Sequence, residues 1–221
     1  MEENLKQLVY SQILGDGYLK NETMLVISHS EKQVDYLNVK KKLFEDLKLQ
    51  VSDHTPRSQD TNFKKNYKSQ SFSVKIPDLK DIDLSKGNCI NRLESLGLFL
   101  WWLDDGCLSI SEKRRKTYTS TSRFGWLSTE GLDLDNNDLI REVFKNKFQI
   151  ATNVIQYRGS STGSVYCRIY INAEGMRRLI DIVRKHIVDL CPQNMLYKFN
   201  MKYMSQKYLP DDCDYNDYNF N

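Results

Sequence analysis

The segment LGLFLWWLDDGCLSI ends eight uncharged residues, Leu96 to Leu103, on Asp104, Asp105 and Gly106. Near the start, KQLVYSQILGDGYLK repeats the pattern, closing a helix-length apolar run on Leu14, Gly15, Asp16 and Gly17. A helix C-terminus already carries about half a negative charge, so an anion there is disfavoured by roughly 0.3–1 kcal/mol. The chain makes this choice twice, roughly half its length apart and in matching context. If the two helices pack together, both carboxylates converge, and their repulsion must be relieved by protonation or by a cation between them. Oxygen ligands at a negative site suit a hard dication such as Mg²⁺. A dication held by few protein ligands, keeping its waters, is an arrangement that hydrolyses phosphodiesters. The glycine after each run is expected as a left-handed helix cap.

The elements that must position these groups also repeat. After the first run the pattern reads strands at Tyr18–Lys20 and Met24–His29, a helix at Gln33–Leu49, and strands at Val51–Arg57 and Ser69–Ile76. After the second it reads strands at Leu108–Ile110 and Thr121–Leu127 and a helix at Asn136–Phe148. Strands at Asn153–Arg158 and Val165–Ile171 and a helix at Ala173–Leu190 complete it. Each half is helix, two strands, helix, two strands, helix, an α+β pattern rather than an alternating βαβ one. The expected boundaries are 1–90 for the first half with its link at Pro77–Asn91, 91–209 for the second, and 210–221 for an acidic, flexible tail. Strand alternation predicts one buried and one polar face per sheet. Phe72, Val74 and Ile76 are expected inside, as are Phe124 and Trp126 opposite Thr121 and Arg123, and Ile155 and Tyr157 opposite Gln156 and Arg158.

The chain's 221 residues and net charge of +3 fit one large domain or two small ones. No apolar run approaches the ~20 residues of a bilayer span, so no membrane partner is expected. No targeting signal is read at the start, which places the protein in the cytoplasm of a bacterium or phage-infected cell, or in an organelle that encodes it. The five cysteines are odd in number and never spaced CxxC, which argues against a disulfide framework or structural zinc. The three histidines are scattered and read as surface or satisfied side chains. Residues 51–76 hold five bases against two acids, and residues 107–127 five against one. The tail PDDCDYNDYNFN holds four Asp and no base. Positive potential is therefore expected on the strand side, compatible with a polyanion.

VYSQILGDG (Val9–Gly17) and LFLWWLDDG (Leu98–Gly106) resemble the two LAGLIDADG motifs of a monomeric, intron-encoded homing endonuclease whose second motif ends DDG. The resemblance extends through STEGLDLDNNDLIREVFKNKFQI, YCRIYINAEGMRRLIDIV and CPQNMLYKFN, about residues 5–203. It implies a pseudo-twofold tandem αββαββα repeat with the motif helices at the interface and two antiparallel sheets forming a saddle over DNA. It implies that Asp16 and Asp105 bind divalent metal, Mg²⁺ with Mn²⁺ substituting, and each serve one strand. The carbonyls of Gly15 and Asp104 are the further ligands implied. Lys198, in LYKF, matches the catalytic lysine of the second half. Its first-half counterpart is Lys80 or Lys86; Lys80 is favoured because it precedes Asp81-Ile82, although Asp83 replaces the proline usual there. Position three of the motif is Ser11 in the first copy but Leu100 in the second, and Gln12 interrupts the first apolar stripe. Close helix approach then falls to Ser11, Gly15 and Gly97, and Trp101 and Trp102 read as core.

Arg can bridge guanine edges and Gln can bridge adenine. The candidates to read bases are Arg57, Gln70, Lys75, Arg123, Gln156, Arg158 and Arg168, with Lys68, Arg114 and Arg115 on phosphates. The implied function is site-specific cleavage of double-stranded DNA at a long asymmetric target by a monomer. The alternative is an RNA maturase that assists splicing of its host group I intron.

Overall fold

The computed structural model describes residues 2–59, 67–114, 119–158 and 165–199. The expected tail 210–221 and Arg115 lie outside them, as do the side chains of Arg57 and Arg114. The first apolar run forms α1 (Glu3–Leu14), followed by β1 (Gly17–Asn21), β2 (Met24–Ser30), α2 (Val34–Asp46), β3 (Gln50–Gln59) and β4 (Tyr67–Lys75). The second forms α4 (Ser95–Asp105), followed by β5 (Gly106–Arg114), β6 (Thr119–Ser128), α5 (Leu134–Asn146), β7 (Thr152–Arg158), β8 (Val165–Ile171) and α6 (Ala173–Leu190). Between them, the stretch expected as a link holds a 3₁₀ turn at Pro77–Asp81 and α3 (Lys86–Arg92). Ser85 caps α3 by accepting from the Asn88 amide, and Leu79, Cys89 and Ile90 bury beneath it.

Both sheets are four-stranded and antiparallel, with equivalent orders β1-β2-β4-β3 and β5-β6-β8-β7. The registers also correspond: Gly17 faces Ile27 in one, and Gly106 faces Leu127 in the other. Helices α2 and α5 each leave their last turn through a left-handed residue, Lys48 (φ 58°) and Gln149 (φ 56°). The molecule is thus α+β, a tandem αββαββα repeat.

Helices α1 and α4 pack against each other at the centre of one continuous core. Ser11, Leu100, Trp101 and Trp102 are all buried there. Gln7 ties the helix starts together, donating to the Arg92 carbonyl at 2.9 Å and accepting from the Glu94 amide at 2.7 Å. A Cβ on Gly97 would stand 2.6 Å from Gln7 Oε1, so the Gln7 side chain lies directly over the Gly97 backbone. Tyr36 of α2 donates to the Leu100 carbonyl at 2.9 Å, joining the first half to the second motif helix.

Two expectations change. Gly106 leaves α4 at φ −76°, ψ 145°, an extended conformation rather than a left-handed cap. Glycine is needed there because a Cβ would overlap the Trp102 ring and carbonyl as the strand turns back along the helix. The faces of the second sheet are also inverted. Gly125 and Leu127 are buried toward the helices, while Phe124 and Trp126 lie half-buried on the open side. A Cβ on Gly125 would collide with Met176 Sδ and come within 2.7 Å of Trp102, so α6 and α4 sit directly on that backbone. The inner position is glycine because nothing larger fits, and apolar alternation then points to the wrong face.

Candidate metal centre at the ends of the paired helices

The motif helices deliver three carboxylates to one place. Asp105 is the last residue of α4, Asp104 precedes it, and Asp16 follows α1 by two residues. They differ in surroundings. The Asp16 side chain is 40% exposed, whereas that of Asp104 is fully buried. Asp105 is half-buried, with Trp101 Nε1 donating to its Oδ2 at 3.0 Å. Burial first, and the Asp104 charge second, push Asp16 up to about 6. Burial, then Asp104, then Asp16 push Asp105 up to about 7.

Asp104 has its own cation. Lys40, on the buried side of α2, donates to Asp104 Oδ1 at 2.6 Å and to Gln12 Oε1 at 2.7 Å. Its third contact is His29 Nε2 at 2.9 Å. An ammonium can only donate, so His29 Nε2 accepts and the imidazole proton sits on Nδ1. That Nδ1 lies 3.3 Å from Asp16 Oδ2. His29 is neutral in this setting: burial first, and the Lys40 charge second, lower it to about 4. The other oxygen of Asp104 accepts the Asp16 backbone amide at 3.4 Å. A Cβ on Gly15 would collide with that same oxygen, which leaves glycine as the residue compatible with the crossing.

Two lysines cap the helix ends. Lys198, buried in the 3₁₀ turn Gln193–Lys198, donates to the carbonyls of Leu103 at 2.5 Å and Asp104 at 3.1 Å. Burial lowers its pKa against the opposing pull of Asp104, Asp105 and Asp16. On the first helix it is Lys86 that donates to the Ile13 carbonyl. Burial lowers its pKa, opposed by Cys89 and then Asp105. Lys80 is exposed on the preceding 3₁₀ turn. The contact to the first motif helix thus belongs to Lys86.

The residues present fit a hard cation. Among the described residues, neither Asp16 nor Asp105 has a lysine or arginine within ion-pair distance, so the two carboxylates occupy a partly buried site where Lys198 acts on them only from farther away. Asp16, His29 and Asp104 also bring ligand-type atoms within 4.8 Å of one another, with Lys40 contacting the last two of these.

The remaining expected residues are distributed over both faces of the sheets. Lys75 is exposed beside Ser71 and Ser73 on the open face of the first sheet, where Tyr18, Val26, Ser28 and His54 line a groove of about 430 Å³. Gln70 lies opposite His29 on the helix-facing side, and Lys68, exposed, is 3.9 Å from Glu31. In the second sheet, Arg168 alone among the expected residues whose side chains are described occupies the open face, ion-paired to Glu130 at 2.6 Å and 4.7 Å from the Tyr157 ring. Arg123, Gln156 and Arg158 are corrected by the inversion: they share the helix-facing side with Leu127 and Val154, and Arg123 has Arg177 of α6 nearby. Open positions there belong instead to Phe124, Trp126 and Tyr170, whose ring centroids lie 5.0–5.8 Å apart.

Sequence reading missed Gln12, His29 and Lys40 as one network. The available signal was a lysine and a glutamine each set on an otherwise apolar helix stripe.

Residues 6–179 match the model of the LAGLIDADG DNA endonuclease family. No curated protein matches the chain. Among solved structures, the homing endonuclease I-WcaI bound to its DNA recognition sequence superposes with a TM-score of 0.66 at 15% identity, over 90% of this chain and 86% of that one. The N-terminal LAGLIDADG domain of DUF199/WhiA gives 0.48 at 17% identity, over 82% and 81%. I-DmoI in complex with DNA and Mn gives 0.45 at 13% identity, over 86% and 97%. At this identity the I-WcaI likeness establishes a shared fold. The match over most of the length establishes more: this chain belongs to the LAGLIDADG DNA endonuclease family, a family of metal-dependent DNA-cleaving hydrolases.

Proposed function

We propose that this protein is a monomeric, site-specific homing endonuclease that cuts both strands of a long, asymmetric DNA target and mobilises its own intron. The observation that carries the reading is the convergence of Asp16 and Asp105, neither ion-paired to a lysine or arginine among the described residues, at the ends of the two packed motif helices. Each carboxylate serves one strand. The cofactor is Mg²⁺, with Mn²⁺ substituting. When bound, such an ion lowers the pKa of a coordinated water and neutralises charge on the transferred phosphate. Asp16 and Asp105 hold it. Lys198 and Lys86, each drawn to a motif-helix carbonyl, place positive charge beside the phosphates, where charge develops during hydrolysis.

The open faces of the two sheets run outward from these carboxylates. Tyr18 and Cys107 each stand two residues beyond a carboxylate and pair directly with Val26 and Trp126. The first face is rich in serine and the second in aromatic residues, so the two half-sites are read by different chemistry and the target is asymmetric.

The test uses a duplex made by joining the sequences that flank the element carrying this reading frame. Purified protein with Mg²⁺ is expected to linearise a plasmid holding that duplex, and Asp16→Asn and Asp105→Asn to leave at least one strand intact. An intact plasmid with either Mg²⁺ or Mn²⁺ sinks the reading. Loss of host-intron splicing on deletion, without DNA cutting, would move it to a maturase that binds the intron RNA.

A further inference from the structure

The two motifs differ at one position that decides the shape of the site. Asp104 occupies in the second motif the place that Gly15 holds in the first, as alignment of Asp105 with Asp16 requires. Its side chain does not remain in its own half. It crosses to the first half and ends on Lys40 of α2, at 2.6 Å. Both side chains are essentially sealed from solvent, at 0% and 1% exposure. The three donors of the Lys40 ammonium are matched by three acceptors, Asp104, Gln12 and His29. Its charge also lies 4.6 Å from the centroid of the Tyr36 ring, whose hydroxyl is bonded to α4. No proton is left on Lys40 for a phosphate or a water, so it is no candidate to act on substrate directly.

We propose that Lys40 withdraws the Asp104 carboxylate from the cation-binding set and turns it into a strut that positions Asp16. The strut has two arms. Asp104 Oδ2 accepts the Asp16 backbone amide, and His29, held through Nε2 by Lys40, presents Nδ1 to the Asp16 carboxylate. Among the described residues, Asp105 receives no such support. Its bond is to Trp101 of its own helix. Lys40 is therefore a positioning residue for one of the two carboxylates, and the inference rests on the reading that Asp16 and Asp105 each serve one strand.

Two measurements test it. The first is Mn²⁺ uptake by the DNA-free protein, followed by the loss of the free-ion paramagnetic signal. The variant Lys40→Met/Asp104→Leu removes one positive and one negative charge, so the net charge is unchanged. Replacing a buried ion pair by apolar residues of similar volume is often neutral or stabilising, which keeps this variant folded. The expected result is Mn²⁺ affinity within about threefold of the parent and the same stoichiometry, because the Asp104 carboxylate is not a ligand. A loss of more than about tenfold, or of a bound ion, overturns the proposal, as does a parent protein that takes up no Mn²⁺.

The second measurement is cleavage of each end-labelled strand of the joined-flank duplex. The double variant is expected to cut one strand at least about tenfold more slowly than the other, while Ile140→Val, at the equivalent position of the second half, leaves the two rates balanced. Equal slowing of both strands by the double variant overturns the positioning role and leaves the endonuclease reading intact. If the parent cuts neither strand, it is the endonuclease reading that fails, and the Mn²⁺ titration alone decides whether Asp104 is withdrawn.

Discussion

The two halves share their topology but are built differently where they meet the carboxylates. In the first half the positions around the site are Gln12, His29 and Lys40, all buried and polar. The corresponding positions of the second half hold Trp101, Thr129 and Ile140. Thr129 there turns away to bond Asn137 and the Cys167 carbonyl, and Trp101 packs edge-on against Phe144. The difference follows from a single side chain. Asp104 enters the first half and brings a charge that must be met. Gly15, its counterpart, carries nothing into the second half, so an isoleucine suffices there. The lesson is that pseudo-symmetric folds tolerate one asymmetric charge when the opposite half evolves its countercharge and the hydrogen-bond acceptors that complete it.

This contrast can be broken most severely at Lys40. Lys40→Met alone leaves Asp104 buried without its cation and should cost about 3–5 kcal/mol of stability, read as a fall in melting temperature. Ile140→Met, at the matching site, should cost less than about 1.5 kcal/mol. Similar costs at both positions would show that the halves are not differently built after all.

Gly15→Ala should cost about 1–3 kcal/mol, because the added methyl collides with Asp104 Oδ2. Combining it with Lys40→Met/Asp104→Ala removes that oxygen and the Cγ that carries it. If chemical denaturation shows the penalty undiminished in the combined variant, the crossing of Asp104 is not what excludes a side chain at position 15.

A smaller effect separates the site's pH dependence from its packing. Asp16 and Asp105 are raised to about 6 and about 7. Between pH 4 and 7 these two carboxylates bind protons in the folded state that the unfolded chain has released, which outweighs the opposite and smaller contribution of His29, lowered to about 4, so metal-free stability should fall as pH rises through that window. Added Mg²⁺ or Mn²⁺ should reverse the loss, more at pH 8 than at pH 5, since its ligands must be deprotonated. Asp105→Asn should stabilise the metal-free protein at pH 8 by about 1–2 kcal/mol after solvent screening is allowed for. A metal-free melting temperature that climbs from pH 5 to pH 8 would contradict this sign.

The smallest effect distinguishes two lysines. Lys80→Ala should change stability by less than about 0.5 kcal/mol and cleavage rates by no more than about twofold. Lys86→Met removes the contact to the Ile13 carbonyl and should slow cleavage by at least about tenfold. The reverse ranking would return the first-half role to Lys80.

Much of this organisation is legible in the chain itself. Two apolar runs ending in Asp and Gly mark the paired helices, and their spacing implies the repeat. Strand and helix positions follow from hydrophobic period, and the CPQNMLYKF segment marks Lys198. What stayed hidden depended on proximity between distant residues. Lys40 sits on a stripe with Tyr36, Leu37 and Phe44, where a lysine is ordinarily an anomaly at the edge of a helix. In the sequence His29 reads as one scattered histidine among three. Both residues take their roles from Asp104, which arrives from the other half.

The sequence by itself determined the elements, the duplicated architecture and the pair of carboxylates, because these depend on local periodicity and on a pattern repeated along one chain. Tertiary structure alone decided three matters. It chose Lys86 over Lys80 for the first helix end, set Gly125 rather than Trp126 beneath the helices, and gave Asp104 to Lys40. Each is an outcome of close approach between segments remote in the chain, where the space available and the position of the nearest charge outweigh what a residue prefers on its own.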